Sequence, residues 1–213
     1  MAVVKLCGLR SREDAELVNE VRPEYAGFVF APSKRQISPC SAYYLSKIIK
    51  YSKLVGVFVN ESPAVIEEIA ALVKLDAIQL HGDESDKYIC RLKKSCGCEI
   101  WKVLRIRRPE DMAADAFPHA DRLLVDSYAK GVRGGSGKRI ELETLQKLDV
   151  SKLIIAGGIS METVDEVLAL KPYGIDVSSA LETDGKKDKE KVRAFMSHMN
   201  TCEFGINAKD EDK

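Results

Sequence analysis

Leu153-Ile154-Ile155-Ala156-Gly157-Gly158-Ile159-Ser160 decides how the rest of the chain is read. A short apolar run gives way to a glycine pair and then to a helix opening, so a strand passes into a helix through a glycine turn. Glycines at such a turn let backbone N–H groups approach an anion closely. The same punctuation recurs on either side. Asp176-Val177-Ser178-Ser179-Ala180 ends the following apolar run with two hydroxyls, and Gly134-Gly135-Ser136-Gly137 follows the preceding one. One glycine pair alone is ordinarily a turn and nothing more. Three such segments after consecutive strands point to a phosphate site.

Working outward, short β-rich runs alternate with amphipathic stretches along the whole chain. Strands are expected at Val3–Cys7, Tyr25–Phe30, Leu54–Val59, Ala77–Leu80, Glu99–Leu104, Arg122–Val125, Leu153–Ala156 and Gly174–Val177. Ser11 with Asp14 suits a capped helix start, and Ser38-Pro39 and Ser62-Pro63 open two more. In the last of these, Val65, Ile66, Ile69 and Leu72 form the expected apolar stripe. Further helices are placed after Glu84, Pro109, Arg139, Ser160 and Lys187.

Strict alternation implies a parallel sheet, because parallel neighbours need a crossover that is usually helical. An open doubly wound sheet would satisfy that much. Eight strands, with glycine signals after the sixth to eighth rather than the first, favour closure. The expected fold is therefore an α/β, single-domain (β/α)8 barrel of the TIM type over residues 1–200, followed by a polar, disordered tail over 201–213.

Bulk properties exclude several classes. A chain of 213 residues suits one domain with a large core, and zero net charge with mixed signs speaks against a nucleic-acid or membrane partner. The densest basic group, Lys102, Arg105, Arg107 and Arg108, is expected to be a solvated loop. No window approaches the roughly 18 apolar residues of a membrane helix. The six cysteines follow no disulfide framework, and Cys96-Gly-Cys98 lacks a neighbouring histidine, so neither a disulfide scaffold nor a zinc site is expected. Reducing cytoplasm is the default compartment, and either a monomer or a homodimer is compatible with these features.

In such barrels chemistry gathers where the strands end at their carboxyl side. Cys7 and Asp126 end strands one and six, which face each other across the mouth with the anion strands seven and eight between them. A sugar phosphate anchored there would lie between a thiol and a carboxyl group, the layout aldose–ketose isomerisation needs. Each residue also has a plainer reading: Cys7 as a buried small hydrophobe, Asp126 as a cap or ion-pair partner. Lys5 shares Cys7's strand face, about 6.6 Å away, and can either lower the thiol's pKa or simply pair with Asp176. The pairing is favoured. Arg35 can clamp a carboxylate from the side of the mouth opposite the anion loops, or be merely solvated. His81 is given no catalytic role.

These residues resemble a known family. Lys5-Leu6-Cys7-Gly8, Gly27-Phe28-Val29-Phe30 with Ser33-Lys34-Arg35, and Gly56-Val57-Phe58-Val59-Asn60 are similar in order to the phosphoribosylanthranilate isomerases. Gln79-Leu80-His81-Gly82-Asp83-Glu84, Val125-Asp126 with Gly134-Gly135-Ser136-Gly137-Lys138, Ala156-Gly157-Gly158-Ile159 and Asp176-Val177-Ser178-Ser179 complete the series. The resemblance implies an Amadori rearrangement in tryptophan biosynthesis, on a small phosphoribosyl substrate, with no cofactor and no metal. It implies Asp126 as general acid, Cys7 as general base and Arg35 on the anthranilate carboxylate. Gly135, Gly157, Gly158, Ser178 and Ser179 would surround the phosphate, with Asp176 also at the substrate.

The pattern is broken by Arg22-Pro23-Glu24-Tyr25 before strand two, by Ser136 for threonine, and by Ala180 for a glycine. The last puts close approach of that backbone N–H to phosphate in doubt. One rival is the histidine-pathway isomerase, which uses an aspartate where Cys7 stands. Another is a non-catalytic metabolite-binding barrel, which would have no need of an opposed thiol and carboxyl.

Overall fold

The computed structural model describes residues 2–106, 114–127, 145 and 149–207. Eight parallel strands close into a barrel in sequence order: β1 Val3–Cys7, β2 Tyr25–Val29, β3 Lys53–Phe58, β4 Ala77–Leu80, β5 Glu99–Ile106, β6 Arg122–Ser127, β7 Leu153–Ala156 and β8 Gly174–Val177. Closure is made by β1, which pairs with β2 on one side and with β8 on the other. The helices are α1 Arg12–Val21, α2 Pro39–Ser46, α3 Pro63–Val73, α4 Asp86–Ser95, α5 Val164–Leu168 and α6 Lys189–Asn207. The helices expected after Pro109 and Arg139 lie largely outside the described residues, as does Gly134–Gly137.

Local chemistry explains the helix starts. Ser11, Ser38, Ser62 and Ser85 each accept a bond from a backbone N–H of the first turn, and Ser11 with Asp14 forms a reciprocal capping box. Pro39 and Pro63 occupy the first helical position, where a missing N–H costs nothing. The apolar stripe of α3 differs from the one expected. Ile66, Ile69, Ala70 and Val73 are buried, whereas Val65 and Leu72 are exposed. The buried set follows spacings of three and four, and Ala70 and Val73 complete the face that Val65 and Leu72 only border.

Two layers of core follow from the two-residue period of a strand. Leu6, Phe28, Ile78, Ile100 and Val125 point outward and pack with helix residues, while Tyr25, Val55, Ala77, Trp101, Val103, Leu124 and Ile154 fill the lumen. Tyr25 meets Trp101 edge-on, ring centroids 4.8 Å apart. The lumen is thus plugged below, which leaves the carboxyl ends as the place for a site.

Three expectations are corrected. Lys102 is not on a solvated loop: it is buried on the outer face of β5, its Nζ 2.7 Å from Glu84 and 2.8 Å from the Gly82 carbonyl. Arg105 sits further along the same strand and donates to the His81 carbonyl, while Arg107 and Arg108 lie outside the described residues. The tail expected from 201 is helical at first, because α6 continues to Asn207; residues 208–213 lie outside the described residues.

Candidate active site

A cavity of about 360 Å³ opens at the carboxyl ends of the strands. Cys7, Arg35, Asp126, Gly157, Gly158, Asp176, Ser178 and Ser179 all line it. Of the catalytic and substrate-binding residues expected from the sequence, Gly135 is the one that lies outside the described residues.

Cys7 ends β1 with its side chain inward, and the strand beside it makes room. A Cβ on Gly27 would stand 3.0 Å from Cys7 Sγ and 3.1 Å from Lys5 Cε. Lys5 lies one pleat below, 1% exposed, its Nζ 2.8 Å from Asp176 Oδ2 on the neighbouring strand. The pairing role favoured for Lys5 is therefore present. Burial alone would lower the Lys5 pKa; the Asp176 carboxylate more than reverses this and holds the ammonium above its ordinary range. The thiol behaves differently. Burial pushes Cys7 up, Lys5 pulls it partly back, Asp176 pushes it up again, and the net direction is upward. The neighbouring cation restrains the rise without producing a low-pKa cysteine.

That balance predicts that Lys5→Met raises the Cys7 pKa further. The pH dependence of iodoacetamide labelling at Cys7, followed by peptide mass spectrometry, reads it directly. An unchanged labelling profile would leave Lys5 as a structural partner of Asp176 and nothing else. The variant should also lose about 3–5 kcal/mol of stability, because it strands a buried carboxylate.

Asp126 ends β6 opposite, its side chain 10% exposed. His81 Nε2 lies 3.2 Å from Asp126 Oδ2, but off the line a hydrogen bond requires, so this buried nitrogen has no hydrogen-bond partner. Gln79, two residues earlier on the same strand face, places Nε2 3.5 Å from His81 Nδ1 and leaves its own Oε1 buried without a partner. Asp176 Oδ1 is in the same condition. Three unsatisfied polar atoms in one cavity wall are costly unless a ligand's hydroxyls or waters complete them. His81 is set by its loop: Glu84 Oε1 accepts from Asn60 N at 2.8 Å and Glu84 Oε2 from Lys102. Gln79 is given no role by the sequence reading of its segment, although its two-residue spacing from His81 is a usable signal.

The anion side is built as follows. Gly157 and Gly158 have φ of +78° and +73°, left-handed values that glycine adopts without strain. The helix after them begins only at Val164, so the glycine turn and not a helix end faces the cavity. Ser178 Oγ donates to the Cys7 carbonyl at 2.9 Å, coupling β8 to the thiol's own backbone. Ser179 opens a single helical turn, Ser179–Leu181. Ala180 lies in that turn and is not among the positive-φ residues, so no glycine is required there for backbone conformation.

Arg35 departs from expectation. It does not stand apart from the β8 loop but reaches it, Nε and Nη2 donating to Glu182 Oε1 and Oε2 at 2.7 and 2.8 Å. Sequence reasoning missed Glu182 and Lys187, since neither falls at a strand end.

Closed barrel and mouth-side cavity together define a (β/α)8-barrel enzyme that works at the carboxyl ends of its strands. Comparison with known proteins makes this specific: a family model described as N-(5'phosphoribosyl)anthranilate (PRA) isomerase matches residues 4–198, and the chain belongs to that family. The N-(5'-phosphoribosyl)anthranilate isomerase of Acetivibrio thermocellus is 39% identical over 216 residues, covering 97% of this chain and 99% of the relative. The crystal structure of the enzyme from Thermus thermophilus superposes with a TM-score of 0.83 at 31% identity, covering 95% of this chain and all of that one. A phosphoribosyl anthranilate isomerase in complex with reduced 1-(o-carboxyphenylamino)-1-deoxyribulose 5-phosphate gives 0.78 at 30%, with 94% of this chain covered and 100% of that one.

Proposed function

We propose that the cavity converts N-(5-phosphoribosyl)anthranilate to 1-(2-carboxyphenylamino)-1-deoxyribulose 5-phosphate, with Asp126 and Cys7 as the acid–base pair. The observation that carries this reading is the meeting of Cys7, Asp126 and the Gly157-Gly158 turn in one cavity wall. The phosphate lies against Gly157, Gly158, Ser178 and Ser179, and Gly135, outside the described residues, is assigned to the same group. Asp126 gives its proton to the furanose oxygen, the C1–O bond breaks, and the nitrogen lone pair forms a protonated imine. The Cys7 thiolate then takes the C2 proton, and that electron pair forms the C1–C2 double bond while the C=N pair returns to nitrogen. The enolamine tautomerises to the ketone. The positive imine acidifies C2–H, so the residues need only place a donor and an acceptor correctly. Gln79, His81 and Asp176 offer their unpaired atoms to the ribose hydroxyls.

No described helix is long and apolar enough to cross a membrane. A small phosphoribosyl substrate, handled in the cytoplasm by a single domain over residues 1–200, completes the reading.

Purified protein mixed with freshly made phosphoribosylanthranilate should quench the anthranilate-type fluorescence, and the gene should rescue a tryptophan auxotroph lacking this step. Failure of both would overturn the proposal. Arg35→Met should raise KM about ten- to a hundredfold, the value of one or two lost charge-assisted bonds, with a smaller change in kcat. An unchanged KM would remove Arg35 from the substrate.

A further inference from the structure

Around Arg35, beside the acid–base pair, lies a charged cluster whose other members, Glu182 and Lys187, have no part in the reaction scheme. Arg35 crosses over the end of β1 to reach Glu182, and Gly8 makes the crossing possible. A Cβ there would stand 2.5 Å from Arg35 Cδ, and the backbone has φ +85°. Glu182 begins a small hairpin, β9 Glu182–Thr183 and β10 Lys186–Lys187. Its Oε1 also receives Lys187 Nζ at 3.0 Å, and Lys187, 3% exposed, donates at 3.0 Å to the Ser178 carbonyl. Arg10 ties the two sides together, donating to the Lys34 carbonyl at 2.6 Å and to the Gly185 carbonyl on the hairpin turn.

Chemically this cluster is a receptor with one edge filled. A guanidinium has five N–H donors, and the Glu182 fork uses only the Nε–Nη2 edge. The Nη1 side remains for a second planar carboxylate. Burial alone would push the Glu182 carboxyl up; the Arg35 fork and the Lys187 ammonium more than reverse this and hold it down at about 2. The anion is therefore permanent, and the fork does not dissolve at working pH. Arg35 and Lys187 both face this one carboxylate; burial lowers the Lys187 pKa and Glu182 only partly restores it, so the Arg35 guanidinium is the cation an incoming anion meets.

We propose that Glu182 is a positioning residue: it locks Arg35 over the mouth so that the site selects a substrate whose aromatic amine bears a carboxylate, with Lys187 as the second partner that holds Glu182 in place. This rests on the reading of Arg35 given above. Glu182 has two opposed effects on a bound carboxylate. Its charge repels, while its fork removes the need to order a rotamer-rich side chain at binding. The Glu182 oxygens are already engaged by Arg35 and Lys187, which blunts the repulsion, and the ordering is worth on the order of tenfold in affinity. Ordering wins.

The test measures binding of two probes to the whole protein. One is reduced 1-(o-carboxyphenylamino)-1-deoxyribulose 5-phosphate, and the other is its counterpart with aniline in place of anthranilate. Glu182→Gln is expected to weaken the first about tenfold and to leave the second within about twofold. A merely structural role would weaken both alike, and a merely repulsive carboxylate would give tighter binding of the first; either result overturns the proposal. Arg35→Met separates this from the underlying reading. If Arg35→Met discriminates between the probes and Glu182→Gln does not, positioning fails while the Arg35 assignment stands. If Arg35→Met shows no discrimination, both fall. Should Glu182→Gln not fold, Lys187→Met decides: loss confined to the carboxylated probe supports the cluster, and equal loss overturns it.

Discussion

Asp126→Asn is expected to lose about 10² to 10⁴ of kcat, roughly 3 to 5 kcal/mol of barrier, with KM little changed. The amide keeps the shape of the carboxyl group and the contact at the end of β6, so the variant separates proton donation from packing. Asp126 is 7% exposed and faces the cavity, and His81 Nε2 stands 3.2 Å from its Oδ2. Binding energy from the phosphate turn and from Arg35 does not pass through this residue, and it should survive. Ring opening should not. An asparagine has no ionisable proton to give the departing furanose oxygen, and an alkoxide leaving without one is the costly alternative. Steady-state fluorescence kinetics give kcat and KM separately. Wild-type turnover in the asparagine variant would remove Asp126 from the acid's role and leave its plainer reading as an ion-pair partner.

The fold was more legible in the sequence than the site, for a physical reason. Strand runs such as Val3–Cys7 and Leu153–Ala156 and caps such as Ser11 with Asp14 are set by neighbours within four residues, so pattern reading finds them. Strand order in a closed barrel then carries Cys7, Asp126 and the Gly157-Gly158 turn to one rim without further information. The Lys5–Asp176 pair was accessible for the same reason, since both residues point into the lumen from adjacent strands at matched register. Arg35 and Glu182 are different: 147 residues separate them, and the contact depends on where a four-residue-scale hairpin folds back. No period or spacing encodes that. Lys102 was misread because its length and charge suggest solvent, whereas its partner, Glu84, is buried with it. The end of the chain misled differently: residues 201–207 carry one charge, Glu203, among Cys202, Phe204 and Ile206, and simply continue α6.

Cys7→Ala is the companion experiment, and its expected effect is of the same size, about 10² to 10⁴ in kcat. The two variants should nevertheless differ in their dependence on pH. Burial pushes the Cys7 thiol above its ordinary range, and Lys5 only partly restrains it. Near neutrality the thiol form therefore predominates, and the fraction able to accept the C2 proton grows as pH rises. The residual kcat/KM of Asp126→Asn, which keeps the thiol and no longer needs a protonated carboxyl group, should climb on the alkaline side for that reason. Cys7→Ala should show no such climb, since alanine has nothing to ionise. The substitution removes one sulfur beside the space left by Gly27, so a large loss of fold is not expected. A Cys7→Ala enzyme that retained its turnover would show that another group takes the C2 proton, and the thiol would return to being a small buried hydrophobe on β1.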